Sequence, residues 1–221
     1  MNVIDVEQGS PEWHALRVGK VTASRVAEIM AKTKTGASRS ARQNYLAELI
    51  AERLTGRPAA RFQSQAMAWG TEQEPAAKLE YAFSRDLVVQ PVGFVMHPHV
   101  DHFGASPDGL VTDPNGDVGL VEIKCPFTAT HIATLQSERV PGEYVWQIQA
   151  QLACTGLGWA DFVSFDPRLP PALQLFVKRV PRDDELIEAI EAEVGVFLDE
   201  LDGALADLKR RFSVEEVPAD G

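Results

Sequence analysis

Asp108, Glu122 and Lys124 fall within the stretch SPDGLVTDPNGDVGLVEIKCP, residues 106–126, and put charge where a core strand should carry none. LVEIKC reads as a buried β-run, yet an extended chain sends Leu120, Glu122 and Lys124 to one face and Val121, Ile123 and Cys125 to the other. An ion taken from water without a partner costs several kcal/mol, so this acid needs compensation. A Glu122–Lys124 pair would satisfy both charges by itself. Asp108 argues for more: if the run around Leu110 pairs with the run around Val121 as a hairpin, Asp108 lies beside Glu122. Two carboxylates that close repel each other unless a cation sits between them. Oxygen ligands completed by water suit Mg2+ or Mn2+. An ammonium two residues along the same face can then hold a metal-bound water or stabilise charge on a phosphorane-like transition state.

The elements that must position these groups follow from caps and periodicity. Ser10 and Pro11 start a short helix ending near Gly19, and Thr22 can cap a second through Met30. Ser40 opens a third, with Tyr45, Leu46, Leu49, Ile50 and Leu54 at helical spacing, closed by Gly56. Residues 64–84 read as a helical stretch broken or kinked near Trp69-Gly70 and Pro75. LVVQPVGFVMH is a strand or bent pair, and 101–125 gives short strands around two turns, PDG and DPNGD. Residues 127–138 and 142–155 are helical in pattern, and ADFVSFD and ALQLFVKRV are strands separated by a Pro-rich turn. Leu186, Ile190, Val194, Phe197, Leu201, Leu205 and Leu208 predict a long amphipathic helix from 183 to about 211. The order implies an α/β (α+β) fold with a central mixed β-sheet flanked by helices. One domain is expected over 1–212, with 213–221 a flexible tail.

With 45% hydrophobic and 24% charged residues in 221, the chain can bury a sizeable core. No apolar run approaches the roughly 20 residues of a membrane span, and MNVIDVEQGS lacks a signal core, which points to a cytoplasmic protein. Cys125 and Cys154 sit in apolar segments and read as buried thiols, too few for a four-cysteine zinc or iron-sulfur site. The net charge of −11 argues against a polyanionic partner, but its distribution does not. From Arg17 to Arg61 ten Lys or Arg face three acids, whereas from Arg182 to Gly221 thirteen acids face four bases. Salt screens charge beyond about 8–10 Å, so a basic face can attract phosphates although the whole molecule is acidic.

Ser106-Pro107-Asp108 followed by Glu122-Ile123-Lys124 matches the PD-(D/E)XK nuclease signature. The flanks WHALRVGKVTAS, AWGTEQE, SPDGL, VEIKCPF and YVWQIQAQL, in that order, make the chain resemble the phage lambda exonuclease family of YqaJ-like viral recombinases over about residues 6–205. The resemblance implies a restriction-endonuclease-like core and a Mg2+-dependent 5′-to-3′ exonuclease, with Mn2+ able to substitute and one or two ions per site. Such an enzyme digests one strand of linear double-stranded DNA to mononucleotides, leaving a 3′ overhang for a single-strand annealing protein. It also implies a homotrimeric ring. Carried over by position, Asp108, Glu122, the Ile123 carbonyl and Glu74 hold metal, Lys124 serves the nucleophilic water, and Gln147 lies beside the site. Arg17, Ser24 and Ser106 form a pocket for the DNA 5′-phosphate. Met67 resembles an apolar wedge between terminal base pairs, and Lys34 stands in a loop resembling one that enters the DNA groove.

Without the resemblance, Glu74 reads as a solvated charge, and Gln147 with Gln151, one turn apart, as a surface stripe. His97, His99 and His102 with Asp101 form a rival transition-metal constellation, although a Pro between two histidines is more often a solvated turn. Two other functions fit the residues less well: a non-catalytic DNA-end-binding module and a related PD-(D/E)XK endonuclease.

Overall fold

A computed structural model describes residues 1–31, 36–59 and 64–213, the side chains of 36–39 excepted. Strand β1 (Asn2–Ile4) leads to helix α1 (Pro11–Arg17), where the Ser10 hydroxyl accepts from the Trp13 N–H as its cap. Strand β2 (Val21–Thr22) passes through a 3-10 turn (Ala23–Arg25) into α2 (Val26–Met30). The expected single helix after Thr22 is therefore split, and the Thr22 side chain makes no cap. Helix α3 (Gly36–Thr55) starts earlier than Ser40 and ends, as expected, before Gly56 in the left-handed region at φ 65°. Helix α4 (Gln65–Arg85) forms the expected helical stretch and, of the expected break or kink at Gly70 and Pro75, has no break. A proline removes one helical donor, and here Ala77 and Tyr81 of the next turn are fully buried, so packing outweighs that loss.

The remaining elements are β3 (Phe94–Met96), β4 (Phe103–Ala105), β5 (Gly109–Thr112), β6 (Val118–Lys124), α5 (Thr128–Ser137), α6 (Gly142–Thr155), β7 (Trp159–Phe165), β8 (Leu175–Pro181) and α7 (Asp184–Arg211). They build two mixed four-stranded sheets, β1-β3-β4-β2 and β5-β6-β7-β8, rather than one central sheet. The break falls at Ser106-Pro107-Asp108, between the end of β4 and the start of β5, where a proline cannot donate to a ladder. Gln8 spans the seam, its amide donating to the Val92 and Pro107 carbonyls at 2.8 and 2.7 Å. DPNGD is the hairpin turn between β5 and β6. PDG is not a turn: Gly109 opens a strand, and a Cβ there would lie 2.3 Å from the Val89 side chain.

Both faces of the second sheet are covered, as the alternation in β6 requires. Val121, Ile123 and Cys125 pack with Val163 and Phe165 against Ala77 and Tyr81 of α4. Leu120 packs with Ala160 and Phe162 against Ile148 and Leu152 of α6 and Ile187 of α7. A third cluster joins the first sheet to α2, α3, α6 and α7 through Phe103, Tyr45, Ala150, Cys154, Val194 and Phe197. Helix α6 is buried without interruption from Gln147 to Thr155, because it is wedged between both sheets and α7. Cys125 and Cys154 are buried free thiols in different clusters. Among the described residues no helix is long and apolar enough to cross a membrane.

His97 belongs to the framework. Its Nδ1 accepts from the His99 and Val100 backbone N–H groups, so Nε2 carries the proton that reaches Glu191 at 3.0 Å. Burial holds its pKa below the ordinary 6.5, the Glu191 partner opposes this, and His99 adds to the depression. A depressed histidine contributes stability that is full above about 6.5 and is lost as pH falls through the folded pKa. The melting temperature is therefore expected to drop between about pH 7 and about pH 5.5, and His97→Gln to flatten that slope. An unchanged slope would show that His97 titrates alike in the folded and unfolded chain.

Candidate active site

The register Gly109↔Val121 sets Asp108 across from Glu122, as the hairpin reading expects. One Asp108 oxygen accepts the Ile123 backbone N–H at 2.6 Å. Burial first, then repulsion from Glu122 with a further push from Glu74, raises the Asp108 pKa well above the ordinary carboxylate value; Lys124 and the Ile123 N–H oppose them. Glu122 is about 1% exposed and surrounded by donors: Gln147 and Lys124 reach one oxygen and Gln151 the other, each at 2.6 Å. Burial pulls the Lys124 pKa down, but Glu122 and Asp108 outweigh it and raise it overall. The same-strand pair thus forms, and Asp108 is the carboxylate left over.

Asp108, Glu122, Lys124, Gln147, Arg17, Ser24 and Ser106 all line one cavity of about 190 Å³, although they come from β6, the segment between β4 and β5, α1, α6 and the 3-10 turn after β2. Trp13 links Arg17 and Ser106 on one side of this cavity. Its ring lies 3.8 Å beneath the Arg17 guanidinium, and its Nε1 donates to the Ser106 hydroxyl at 2.9 Å. The Ser24 hydroxyl lies 3.4 Å from that of Thr22, whose backbone N–H donates to Tyr45.

Glu74 and Met67 are not in this cavity. They line a neighbouring groove of about 500 Å³ together with Ile123 and Lys124, so Lys124 borders both spaces. Glu74 pairs with Lys78 at 3.8 Å and also meets Asp108 in a cleft of about 740 Å³ beside the first strand. Met67, half exposed, lies where the groove approaches a further cavity bordered by Arg17. Lys34 falls outside the described residues.

Gln147 and Gln151 are buried rather than a surface stripe. Gln151, Trp13, Thr22 and Gln8 all line the site cavity, beyond the set expected from sequence. Trp13 had a signal, its spacing of four from Arg17 in WHALR. Gln151 had none, since nothing local marks that side of α6 as facing an acid. The constellation of His97, His99, His102 and Asp101 makes no metal cage, since both ring nitrogens of His97 are committed as described. Among the described residues no group of three His, Cys, Asp or Glu side chains is placed to hold an ion. The basic segment is partly neutralised, Arg25 by Glu28 and Glu48, Arg42 by Glu200 and Arg53 by Asp202.

Comparison with known proteins supplies an independent line. The YqaJ-like viral recombinase domain matches residues 12–158. The crystal structure of an alkaline exonuclease, LHK-Exo, from Laribacter hongkongensis is 49% identical, covering 92% of this chain and 98% of that one at a TM-score of 0.83. LHK-Exo in complex with dAMP is 50% identical with the same coverage and a TM-score of 0.84. A phage-related exonuclease from Haemophilus somnus 129PT, at 18% identity, covers 86% of this chain and 96% of that one with a TM-score of 0.66, a likeness of fold. No curated protein matches the chain.

Trp13→Phe keeps a ring beneath Arg17 and removes the donor to Ser106. It is expected to cost about 0.5–1.5 kcal/mol in urea unfolding. Equal stability would mean that the Ser106 hydroxyl needs no indole partner.

Proposed function

The chain belongs to the YqaJ-like viral recombinase family, and from that premise we propose that it is a divalent-cation-dependent exonuclease acting on linear double-stranded DNA from the 5′ end. The observation that carries this reading is the shared cavity: Arg17, Ser24 and Ser106 border the same small space as Asp108, Glu122 and Lys124. A guanidinium with two hydroxyls suits a terminal phosphate. With end recognition so near the carboxylates, cleavage falls close to the end and releases short products, mononucleotides in this proposal. LHK-Exo in complex with dAMP, a mononucleotide, supports this reading.

The residues fit a divalent cation. Asp108 and Glu122 bring two carboxylates side by side against one ammonium, which is already paired with Glu122. Asp108, Glu122 and the Ile123 carbonyl would hold Mg2+ or Mn2+, with Glu74 available to a second ion from the adjoining groove. When bound, the ion polarises the attacking water and offsets charge on the phosphate. Lys124, as an ammonium, donates to the water or to a phosphate oxygen. Gln147 holds the Glu122 carboxylate in place. Arg17 fixes the strand end so that the scissile phosphate is presented in one register. Met67, half exposed and lining a cavity with Arg17, is assigned as the wedge that parts the terminal base pairs. Lys34 is assigned to groove contact by family resemblance.

We assign residues 1–212 to one nuclease domain with a PD-(D/E)XK core and the working form to a homotrimeric ring in the cytoplasm; of the expected tail, 213–221, residues 214–221 lie outside the described ones. The 3′ overhang is a substrate for an annealing protein of phage-type recombination.

The test is digestion of end-labelled linear duplex with Mg2+ or with chelator, beside a closed circle. Linear DNA should be shortened only with the ion and the circle left intact; a nicked or opened circle would make the protein an endonuclease. Asp108→Asn is expected to reduce digestion to background while DNA binding, read by gel shift, persists; normal digestion would remove Asp108 from the site. Arg17→Ala should narrow the advantage of 5′-phosphorylated over 5′-hydroxyl ends, and equal losses on both ends would count against the phosphate pocket.

A further inference from the structure

We infer that Gln151 is a positioning residue of the metal site, gripping the Glu122 oxygen opposite the one held by Gln147 and so fixing the carboxylate for cation binding. The inference rests on the metal-dependent reading above. Gln147 and Gln151 stand one turn apart on α6, in the strip between Ile148 and Leu152, which face the second sheet, and Ala150 and Cys154, which face the third cluster. Their Nε2 atoms lie 2.6 Å from opposite oxygens of Glu122. With an amide on each oxygen, and Lys124 sharing the one held by Gln147, the carboxylate cannot rotate without losing a bond, and Gln151 borders the same cavity as Asp108 and Lys124.

Donating to Glu122 uses only half of the Gln151 amide: the side chain is about 1% exposed, and its Oε1, in a residue that lines the cavity, has no hydrogen-bond partner among the described residues. The amide orientation follows from its partner, since a carboxylate only accepts and must face the NH2 group. The choice of donor also has meaning. A neutral amide holds the oxygen without cancelling its charge, whereas a second lysine would neutralise the group the cation needs. Gln149 provides the contrast on the opposite side of α6: its amide donates to the Pro181 carbonyl and its Oε1 accepts the Asp183 N–H, a purely structural tie.

The test is calorimetric titration of the full chain, without DNA, by Mn2+. Gln151→Leu is expected to weaken Mn2+ binding about 10–100-fold, with digestion recovering as Mn2+ is raised, whereas Gln149→Leu should lower the melting temperature and leave Mn2+ affinity unchanged. Gln151→Met serves in case the branched side chain does not pack. Wild-type Mn2+ affinity in Gln151→Leu, or an equal loss in Gln149→Leu, would overturn the inference. Failure of both Gln151 variants to fold would do so too, by making the residue a folding one. If the wild-type chain takes up no Mn2+, the metal reading itself fails, a result distinct from the others.

Discussion

A carboxylate on the core face of a strand must be given donors before the strand can be buried, and Glu122 meets that demand with two amides and an ammonium. Much of the architecture follows. The amides come from α6, so α6 must lie against β6; the helix is buried on every side over nine residues, so both sheets and α7 must close around it. The neighbouring buried acids show what ordinary compensation looks like. Asp161 receives the Tyr81 hydroxyl at 2.9 Å and Arg179 at 3.0 Å, and Asp166 pairs with Arg168 and Thr128. Asp108 sits beside an acid instead, which distinguishes a site from a structural pair.

What the residues reveal on their own is what short-range physics fixes. The Asp108–Glu122 juxtaposition needs only a hairpin, and DPNGD is a strong turn between alternating strands. The α1 start follows from Ser10 and Pro11, and α7 from its apolar spacing, with Asp183 as its cap. The split into two sheets was not legible, because Pro107 marks a possible break without saying which strands pair on either side of it. Nor were the buried glutamines. Polar residues one turn apart look like a wet face until the partner acid, more than twenty residues earlier in the chain, is known to lie against them. The continuity of α4 was missed for a related reason: local propensity penalises Gly70 and Pro75, and tertiary packing of Tyr81 overrides it.

The charge pattern was legible in sequence but not in effect. Basic residues of 17–61 and acids of the C-terminal segment do not form two separate solvated faces throughout, since Arg42 and Arg53 of α3 reach Glu200 and Asp202 of α7. Part of the local positive excess is thus spent inside the molecule, as links between helices. Arg17 and Lys124, at the site, are oriented differently, by an indole ring and by a carboxylate respectively.

Lys124 borders two spaces at once, the cavity with Glu122 and the groove with Met67, and its Nζ lies 5.1 Å from the centre of the Tyr144 ring. One positive charge cannot be given in full to two anions. An anion drawn toward Lys124 from the groove therefore weakens its hold within the cavity, and the reverse holds to the same degree, because binding free energies are reciprocal. Filling either compartment with an anion thus lowers the pull of the other, and emptying it restores that pull.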